Sequence, residues 1–293
     1  MTPRIDAHQH FWRYRAEEFP WIDDSMAVVR RDRLPQDLAP ELRATYVDGC
    51  VAVQARQSLD ETRFLLGLGR DNPLVRGVVG WVDLCAPDVA GQLAEFADEP
   101  KFVGVRHLLQ DEPDDAFMVR PEFVRGVAAV GDAGLAYDLL LFPRHLEYAV
   151  ALVRELPDVR FIIDHLAKPG IAAGDLAGWE PGFRALAAEP NVACKLSGMV
   201  TEADWATWTD ADFAPFLDAA FDAFGPGRLL FGSDWPVCEL AASYGQVLGI
   251  VEHYIAALPT ALPSREREAV MGGNALDWYK LDDSLAPSPE EYT

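Results

Sequence analysis

The chain has 293 residues, half of them hydrophobic, so it is long enough for one large domain or for two of ordinary size. Its formal net charge is -22 at pH 7. Such a field repels polyanions and anionic lipid surfaces, so we expect neither a nucleic-acid partner nor a membrane partner.

Two kinds of apolar segment alternate along the chain. Short runs rich in Val, Ile, Leu and Phe are typical of strands buried on both faces, and longer stretches rich in Ala, Leu and Glu are typical of helices. The predicted strands cover residues 4–9, 49–54, 75–83, 102–107, 135–141, 159–165, 192–198 and 228–234. The predicted helices between them cover 33–46, 59–71, 87–98, 119–132, 144–155, 180–188 and 210–224, and two more follow at 243–258 and 264–279.

Eight strands that are each followed by a helix imply a parallel sheet with crossover helices. Eight such units in this length fit a single (β/α)8 TIM barrel with a C-terminal helical extension better than an open doubly wound sheet. No GxGxxG motif follows the first strand, which weakens a dinucleotide-binding alternative. We predict one barrel domain over residues 1–281 and a polar tail over 282–293.

Polar side chains at the ends of the predicted strands are the candidates for a site, because barrels of this class place the active site at the carboxyl ends of their strands. Four of the six histidines occupy such positions, namely His8, His10, His107 and His165. Asp234 ends the eighth strand. His145 and His253 fall within helical patterns, and we expect them to be surface or packing residues.

The segment "IDAHQHFW" places His8 and His10 two residues apart, so on a strand both side chains point to one face, together with Asp6. If that face is the barrel interior, two neutral imidazoles converge there. A third imidazole and a carboxylate then complete a set suited to a borderline divalent ion. The predicted metal ligands are His8, His10, His165 and Asp234. Hydrogen bonding at a strand end is the alternative for the HxH pair taken alone.

Other side chains near the strand ends suit a polar small molecule. The predicted substrate contacts are Gln54, Trp81, His107, Gln110, Lys195 and Trp235. Arg106 has the opposite parity to His107, so we expect it to face the helix layer in a salt bridge. An unpaired buried lysine is costly, so Lys195 is expected either to pair with a carboxylate or to meet the substrate. Trp12 and Trp21 flank the first loop, where core packing and a lid role are the alternatives.

Five segments together resemble the amidohydrolase superfamily, and more narrowly its sugar-lactonase branch of the L-fuconolactonase and L-rhamnonolactonase type. These segments are "IDAHQHFW", "GVRHLLQDEP", "DHLAKP", "CKLSGMVTEA" and "RLLFGSDWPV". The resemblance extends from about residue 4 to "GGNALDWYKL" at 272–281. It implies that His8 and His10 are a metal pair, that Asp234 orients or deprotonates the attacking water, and that His165 shares the catalytic site.

The fifth predicted strand ends in "DLLLFP", without the histidine or carbamylated lysine that bridges two ions in binuclear relatives. The resemblance therefore implies one divalent ion at most, with zinc as the expected ion. A metal-independent site is the alternative, because some lactonases of this branch are thought to work without an ion.

The resemblance implies a hydrolase that opens a sugar-derived lactone, such as L-fucono- or L-rhamnonolactone, to the aldonic acid. A metal-dependent decarboxylase of an aromatic or unsaturated carboxylate is the alternative. Basic anchors around the fourth and seventh strands would favour the decarboxylase, whereas mixed neutral and acidic groups there would favour the lactonase. The acidic run "QDEPDD" after the fourth strand favours the lactonase. A non-catalytic sugar-binding barrel is a third hypothesis, and a homo-oligomer is compatible with all three.

The cysteine pattern bears on the compartment. The four cysteines, Cys50, Cys85, Cys194 and Cys238, lie far apart and form no CxxC pair. Such spacing is a poor disulfide framework and a poor zinc-finger pattern. The chain also shows no secretory signal pattern and no apolar run of about 18 residues, so we expect a cytoplasmic protein.

Overall fold

Eight parallel strands follow one another around a nearly closed barrel in a computed structural model that describes residues 2–282. They are β1 (Ile5–Gln9), β2 (Gly49–Val53), β3 (Val75–Gly80), β4 (Phe102–His107), β5 (Ala136–Leu139), β6 (Arg160–Ile163), β7 (Val192–Leu196) and β8 (Leu229–Phe231). Just beyond β8, Gln9 pairs with Trp235 and the Asp234 N–H donates to the His8 carbonyl at 2.8 Å, which brings the last strand back to the first. The predicted (β/α)8 fold is confirmed.

The helices form the outer layer of the barrel and its C-terminal extension. They are α1 (Pro35–Thr45), α2 (Leu59–Asp71), α3 (Val89–Ala94), α4 (Pro121–Asp132), α5 (Leu146–Glu155), α6 (Glu180–Ala187), α7 (Asp210–Phe224), α8 (Tyr244–Ala257), α9 (Ser264–Glu268) and α10 (Asn274–Tyr279). Within residues 2–282, no helix is both long and apolar enough to cross a bilayer.

Several predicted boundaries differ from the structure. The sequence predicts strands over 159–165 and 228–234, but β6 ends at Ile163 and β8 at Phe231, shortly before His165 and Asp234, which have left-handed backbone angles with φ of 55° and 59°. The predicted helix over 264–279 is interrupted by a π-helical segment, Ala269–Gly273. There the backbone of Gly272 lies so close to the Pro3 carbonyl that a Cβ atom would overlap it. The predicted tail lies outside the described residues apart from Asp282.

The lower half of the barrel interior is apolar and is closed by the C-terminal helix. Every strand contributes at least one small or branched side chain to this cluster, for example Val51, Ile162 and Leu230. Ala275 and Tyr279 of α10 pack against these side chains from below. The polar side chains of the interior are therefore confined to the carboxyl half of the barrel.

A hydrogen bond joins the C-terminal helix to the polar half. The Tyr279 hydroxyl is buried and lies 2.7 and 2.9 Å from the two carboxylate oxygens of Asp138 on β5. Asp138 in turn accepts from the Lys195 ammonium on β7 at 2.6 Å. The C-terminal helix thus contacts the buried charges directly as well as sealing the barrel.

We predict that Tyr279→Phe lowers the free energy of unfolding by about 2 kcal/mol, because it leaves a buried carboxylate with one donor fewer. The matched control is Tyr254→Phe, which removes a 2.7 Å hydrogen bond to Asp218 on the protein surface. There water replaces the lost donor, so the loss is about 1 kcal/mol or less. Urea denaturation followed by tryptophan fluorescence measures both values, and equal losses in the two variants would contradict the prediction.

Candidate active site

Four of the side chains singled out in the sequence meet at the carboxyl mouth of the barrel. The Nε2 atoms of His8 and His10 lie 3.3 Å apart, and His10 Nε2 lies 3.3 Å from Asp234 Oδ1. The Nε2 atoms of His8 and His165 each lie 3.9 Å from the same carboxylate oxygen. All four residues are buried, so three imidazoles and one carboxylate share a single space that is shielded from bulk solvent.

An unusual turn presents His165. Four consecutive residues, His165 to Lys168, have φ between 50° and 59°, a left-handed conformation that costs about 1–2 kcal/mol per non-glycine residue. Gly198, with φ of 62°, packs so closely beneath the ring that a Cβ atom there would overlap His165. Ser197 Oγ lies 2.8 Å from His165 Nδ1 and fixes the ring orientation. Strain of this kind is typical of functional sites.

A buried ion network lies directly beneath His8. Asp164 Oδ2 accepts from Arg106 at 2.9 Å, and Asp164 Oδ1 lies 2.9 Å from Lys195 Nζ. His8 Nδ1 lies 3.1 Å from Asp164 Oδ1 and 3.0 Å from Lys195 Nζ. Lys195 also pairs with Asp138, so two cations and two carboxylates are compensated within the barrel.

Burial and charge set the protonation states of these groups. Burial lowers the pKa of His165 to about 4 and that of His8 well below its usual range, so both imidazoles are neutral near pH 7. Burial alone would raise the pKa of Asp234, but His165 and His10 outweigh it and hold this pKa below its usual value. Lys195 and His8 likewise outweigh burial at Asp164, whose pKa is well below its usual range.

The His–Asp cluster opens into a cavity of about 300 Å³, at the lower end of the range for small-molecule sites. His10, His165 and Asp234 form part of its wall. Further polar side chains come from the strand ends and the loops, namely Arg106, Gln110, Asp111, Lys168 and Glu202. Trp21 and Trp205 supply aromatic surface. The Lys168 ammonium lies 3.7 Å from the Glu202 carboxylate, so the wall carries charges of both signs.

Of the predicted substrate contacts, only Gln110 lines this cavity. Gln54 is buried and donates to the Arg106 carbonyl at 3.1 Å. Lys195 is committed to the carboxylates of the ion network. The Trp235 indole donates to Glu239, and the Trp81 side chain lies away from the cavity wall.

The expectation for Arg106 is wrong, because the facing of the fourth strand is the reverse of the one inferred. His107 points into the helix layer, where its ring stacks on Phe117 and its Nε2 lies 2.7 Å from Glu112. Arg106 points inward, since the buried Asp164 carboxylate and the Gln54 carbonyl compensate its charge there. His107 therefore does not line the cavity.

Asp6 does not share the facing of His8. The pairing of β1 with β2 shifts register between Asp6 and Gln9. Asp6 bonds to Ser233 and to Tyr244 of α8, whereas His8 lies among the interior charges. Asp6 is thus a structural residue that holds the chain after β8.

Four charged groups of the cavity wall and of the ion network beneath it were not identified from the sequence: Asp138, Asp164, Lys168 and Glu202. Asp164 and Lys168 belong to "DHLAKP", so the signal was an acid and a base beside a histidine already assigned to the site. Asp138 is the single charge within the apolar run "LAYDLLL", and a lone buried charge demands a partner. Glu202 belongs to "CKLSGMVTEA", another of the five segments, but no histidine assigned to the site lies beside it.

The residues at the mouth fit a divalent ion. A tetrahedral ion with bonds of about 2.1 Å separates its ligand atoms by about 3.4 Å, close to the 3.3 Å between His8 and His10 Nε2 and between His10 Nε2 and Asp234. His10 Nδ1 lies 2.7 Å from the Val53 carbonyl, which can only accept, so the lone pair of His10 is on Nε2. When His8 donates from Nδ1 to Asp164, its own lone pair also faces this point.

His8 has a second consistent proton arrangement. If the Lys195 ammonium donates to His8 Nδ1, the hydrogen of the ring is on Nε2, which can then donate to His10 Nε2. Arg106 Nη1 also lies 3.4 Å from His8 Nε2, but a guanidinium can only donate, so this contact is a hydrogen bond only in the first arrangement, where Nε2 carries the lone pair. The same residues can therefore either hold an ion or form a closed hydrogen-bond network.

Comparison with known proteins agrees with this geometry. The amidohydrolase family model matches residues 5–281. An L-fucono-1,5-lactonase from Burkholderia multivorans is 46% identical over 290 residues, which cover 96% of this chain and 97% of that protein. An L-fucono-1,5-lactonase from Burkholderia ambifaria is 40% identical over 285 residues, with 96% and 97% covered.

Solved structures give the same relationship. The crystal structure of an amidohydrolase from Burkholderia multivorans with bound zinc has a TM-score of 0.92 and 46% identity, and covers 96% of this chain and 100% of that one. A 5-carboxyvanillate decarboxylase from Sphingomonas paucimobilis, with a TM-score of 0.62 and 14% identity, shares the fold alone. The chain belongs to the amidohydrolase family.

Proposed function

We propose that this protein is a hydrolase that opens a sugar-derived lactone, of the L-fucono-1,5-lactone type, to the aldonic acid. The observation that carries the proposal is the position of the Asp234 carboxylate, within 3.3 to 3.9 Å of three histidine Nε2 atoms and on the wall of a small polar cavity. Relatives with 46% and 40% identity are named L-fucono-1,5-lactonases, which supports this substrate class.

Asp234 is the proposed general base. Its pKa lies below its usual value, so the carboxylate is ionised at neutral pH and can accept a proton from a water molecule in the cavity. The hydroxide character that develops on this water drives attack on the lactone carbonyl carbon. The left-handed backbone at Asp234 and its N–H bond to the His8 carbonyl hold the carboxylate in place.

Two cations on the cavity wall are placed to stabilise the negative charge that develops on the carbonyl oxygen. The Arg106 guanidinium is fixed by Asp164 and by the Gln54 carbonyl. The Lys168 ammonium is close enough to Asp234 and His165 to lower the pKa values of both. Because a lactone is an activated ester, donors of this kind are a reasonable source of oxyanion stabilisation.

Ring opening follows from collapse of the tetrahedral intermediate. The bond between the carbonyl carbon and the ring oxygen breaks, and the leaving alkoxide takes back the proton that Asp234 accepted from water. The product carboxylic acid then ionises and releases one proton to solvent. Net acid release is therefore the natural assay of the reaction.

A divalent ion, with zinc as the proposed one, would be held by His8, His10, His165 and Asp234. When bound, it would act as a Lewis acid and lower the pKa of a bound water molecule. His8, His10 and Asp234 lie close enough together to share one ion, and His165 Nε2 lies 3.9 Å from the same Asp234 oxygen. Zinc is proposed because these donors are imidazole nitrogens and a carboxylate, the ligands that this ion accepts in tetrahedral sites.

The mixed charge of the cavity favours a neutral lactone over an aromatic carboxylate. A decarboxylase needs an excess of basic anchors for its anionic substrate. Here Asp111, Glu202 and Asp234 oppose Arg106 and Lys168 on the same wall. The structure therefore gives the decarboxylase alternative no specific support. The four cysteines are free thiols, which is compatible with the cytoplasmic location that we propose.

We predict that Asp234→Asn lowers kcat/KM for L-fucono-1,5-lactone by a factor of about 10² to 10⁴, because it removes the general base. Initial rates of acid release, corrected for spontaneous hydrolysis, measure the effect. Asp222→Asn, at a 74% exposed side chain paired with Arg184, is the matched control and should retain wild-type activity. Near wild-type activity in Asp234→Asn would show that Asp234 is not the general base and that the reaction takes place at another site.

The pH profile of kcat/KM gives an independent prediction. The pKa of His165 is lowered by burial to about 4, and that of Asp234 is held below its usual value, so the reactive forms predominate above about pH 5. We expect kcat/KM to fall steeply below about pH 4 as these groups gain protons. A value of kcat/KM that is unchanged between about pH 5 and about pH 3 would contradict this assignment.

We predict that His10→Asn weakens zinc binding at least about tenfold, because it removes one of the nitrogen ligands. Competition with a chromophoric chelator measures the affinity without reference to activity. His253→Asn, at a ring on the protein surface that bonds to Asp210, is the matched control and should bind zinc like the wild type. Equal affinities in the two variants would exclude the proposed ligand set.

A further inference from the structure

Three buried polar atoms of the cavity-lining side chains have no hydrogen-bond partner within residues 2–282: Nε of Arg106, the indole Nε1 of Trp21 and the amide Oε1 of Gln110. The other two guanidinium nitrogens of Arg106 bond to Asp164 and to the Gln54 carbonyl, whereas Trp21 and Gln110 have no such bonds at these polar atoms. A buried donor or acceptor without a partner carries its full desolvation cost, so such atoms are rare unless something outside the chain completes them. Trp21 Nε1 can only donate a hydrogen bond, and Gln110 Oε1 can only accept one.

The Trp21 indole contrasts with most tryptophans of the same protein. Five indole N–H groups donate within the chain, namely those of Trp12, Trp179, Trp205, Trp208 and Trp235. Trp81 also lacks a partner, but it does not line the cavity. Of the two buried indole N–H groups without a partner in the described part of the chain, those of Trp21 and Trp81, only that of Trp21 belongs to a residue that lines the cavity.

Neighbouring contacts hold the Trp21 ring and the Gln110 backbone in place. The Trp21 ring packs edge-on against Trp12 at 5.8 Å between ring centroids, and the Trp12 indole itself bonds to the Arg31 carbonyl. Gln110 lies in a single helical turn, Leu109–Asp111, and its backbone carbonyl accepts from Arg144 at 3.1 Å. The Trp21 ring and the Gln110 backbone therefore have fixed positions beside the cavity.

We propose that Trp21 Nε1–H and Gln110 Oε1 each bind a hydroxyl group of the substrate ring, and that they are specificity-determining residues for polyhydroxylated lactones. A hydroxyl group both donates and accepts, so a polyol ring can satisfy a donor and an acceptor on the same wall. A lactone without ring hydroxyls leaves both atoms unpaired, which is the condition under which a site rejects a deoxy analogue strongly. This inference rests on the proposed lactone hydrolysis.

The test compares kcat/KM for L-fucono-1,5-lactone with kcat/KM for δ-valerolactone, the same ring size without hydroxyl groups. Trp21→Phe keeps an aromatic ring but removes the N–H, and Gln110→Met keeps the length of the side chain but removes the carbonyl. We expect each variant to lower the ratio of the two kcat/KM values by about tenfold, through loss on the hydroxylated substrate.

Trp205→Phe is the matched control. Trp205 also lines the cavity, but its N–H donates to the Thr201 carbonyl at 3.0 Å. Its replacement should change kcat/KM for both lactones by the same factor and leave the ratio as in the wild type. A fall of less than fivefold in the ratio overturns the assignment of Trp21 or of Gln110 in the variant that shows it.

A second measurement distinguishes the loss of one hydrogen bond to the substrate from a general loss of activity caused by a damaged fold. Monodeoxy analogues of the hydroxylated lactone should identify one ring hydroxyl whose removal lowers kcat/KM at least fivefold in the wild type but less than twofold in Trp21→Phe. If no hydroxyl shows this coupling, the inference fails even though lactones are still opened. If the wild type opens neither lactone, the proposed function itself has failed.

Discussion

The buried carboxylate of Asp164 is the group on which the active-site geometry depends. It accepts from Arg106 on β4 and from Lys195 on β7, and it contacts His8 on β1. Through Lys195 the network reaches Asp138 on β5. Ion pairs and hydrogen bonds thus join inward-facing side chains of four strands to Asp164 at the end of β6, at one level of the barrel. A buried ion network of this kind tolerates loss of a partner poorly, because each remaining charge would be left uncompensated.

The position of this network follows from how the barrel interior is divided. Below it, an apolar cluster and the C-terminal helix exclude water from the lower half. Above it lie the histidines and Asp234, which are buried but border the cavity. The cations are compensated by carboxylates rather than by water, so they keep fixed positions. Burial lowers the pKa values of the neighbouring imidazoles, which therefore stay neutral. The two halves therefore act together. The apolar half excludes water, which raises the free-energy cost of any unpaired charge in the polar half and strengthens the interactions between the charges that are paired.

Much of the fold and part of the site could be predicted from the sequence, for a common physical reason. Strands buried on both faces are continuous apolar runs, and polar residues at their ends stand out, as His8, His10 and Asp234 do. What failed was facing. Arg106 and His107 lie on opposite sides of a regularly paired strand, as alternation requires, but the sequence pattern does not say which of the two points inward. At Asp6 a register shift disturbs the alternation itself. Lys168 was missed as a cavity residue because a run of left-handed residues places it there, and no residue type in that run demands such a backbone.

The groups proposed for chemistry and for specificity come from different parts of the fold. His8, Arg106 and Lys195 belong to strands, and their positions are over-determined by the ion network and by the sheet. Trp21 and Gln110 belong to loops that follow β1 and β4. They line the same cavity as Arg106 of the ion network. A change in the loops can therefore alter which hydroxyl groups are bound without disturbing the charges that position the carbonyl. A substitution of a charged strand residue in the ion network has wider effects, because it leaves the charge of its partner in the network uncompensated.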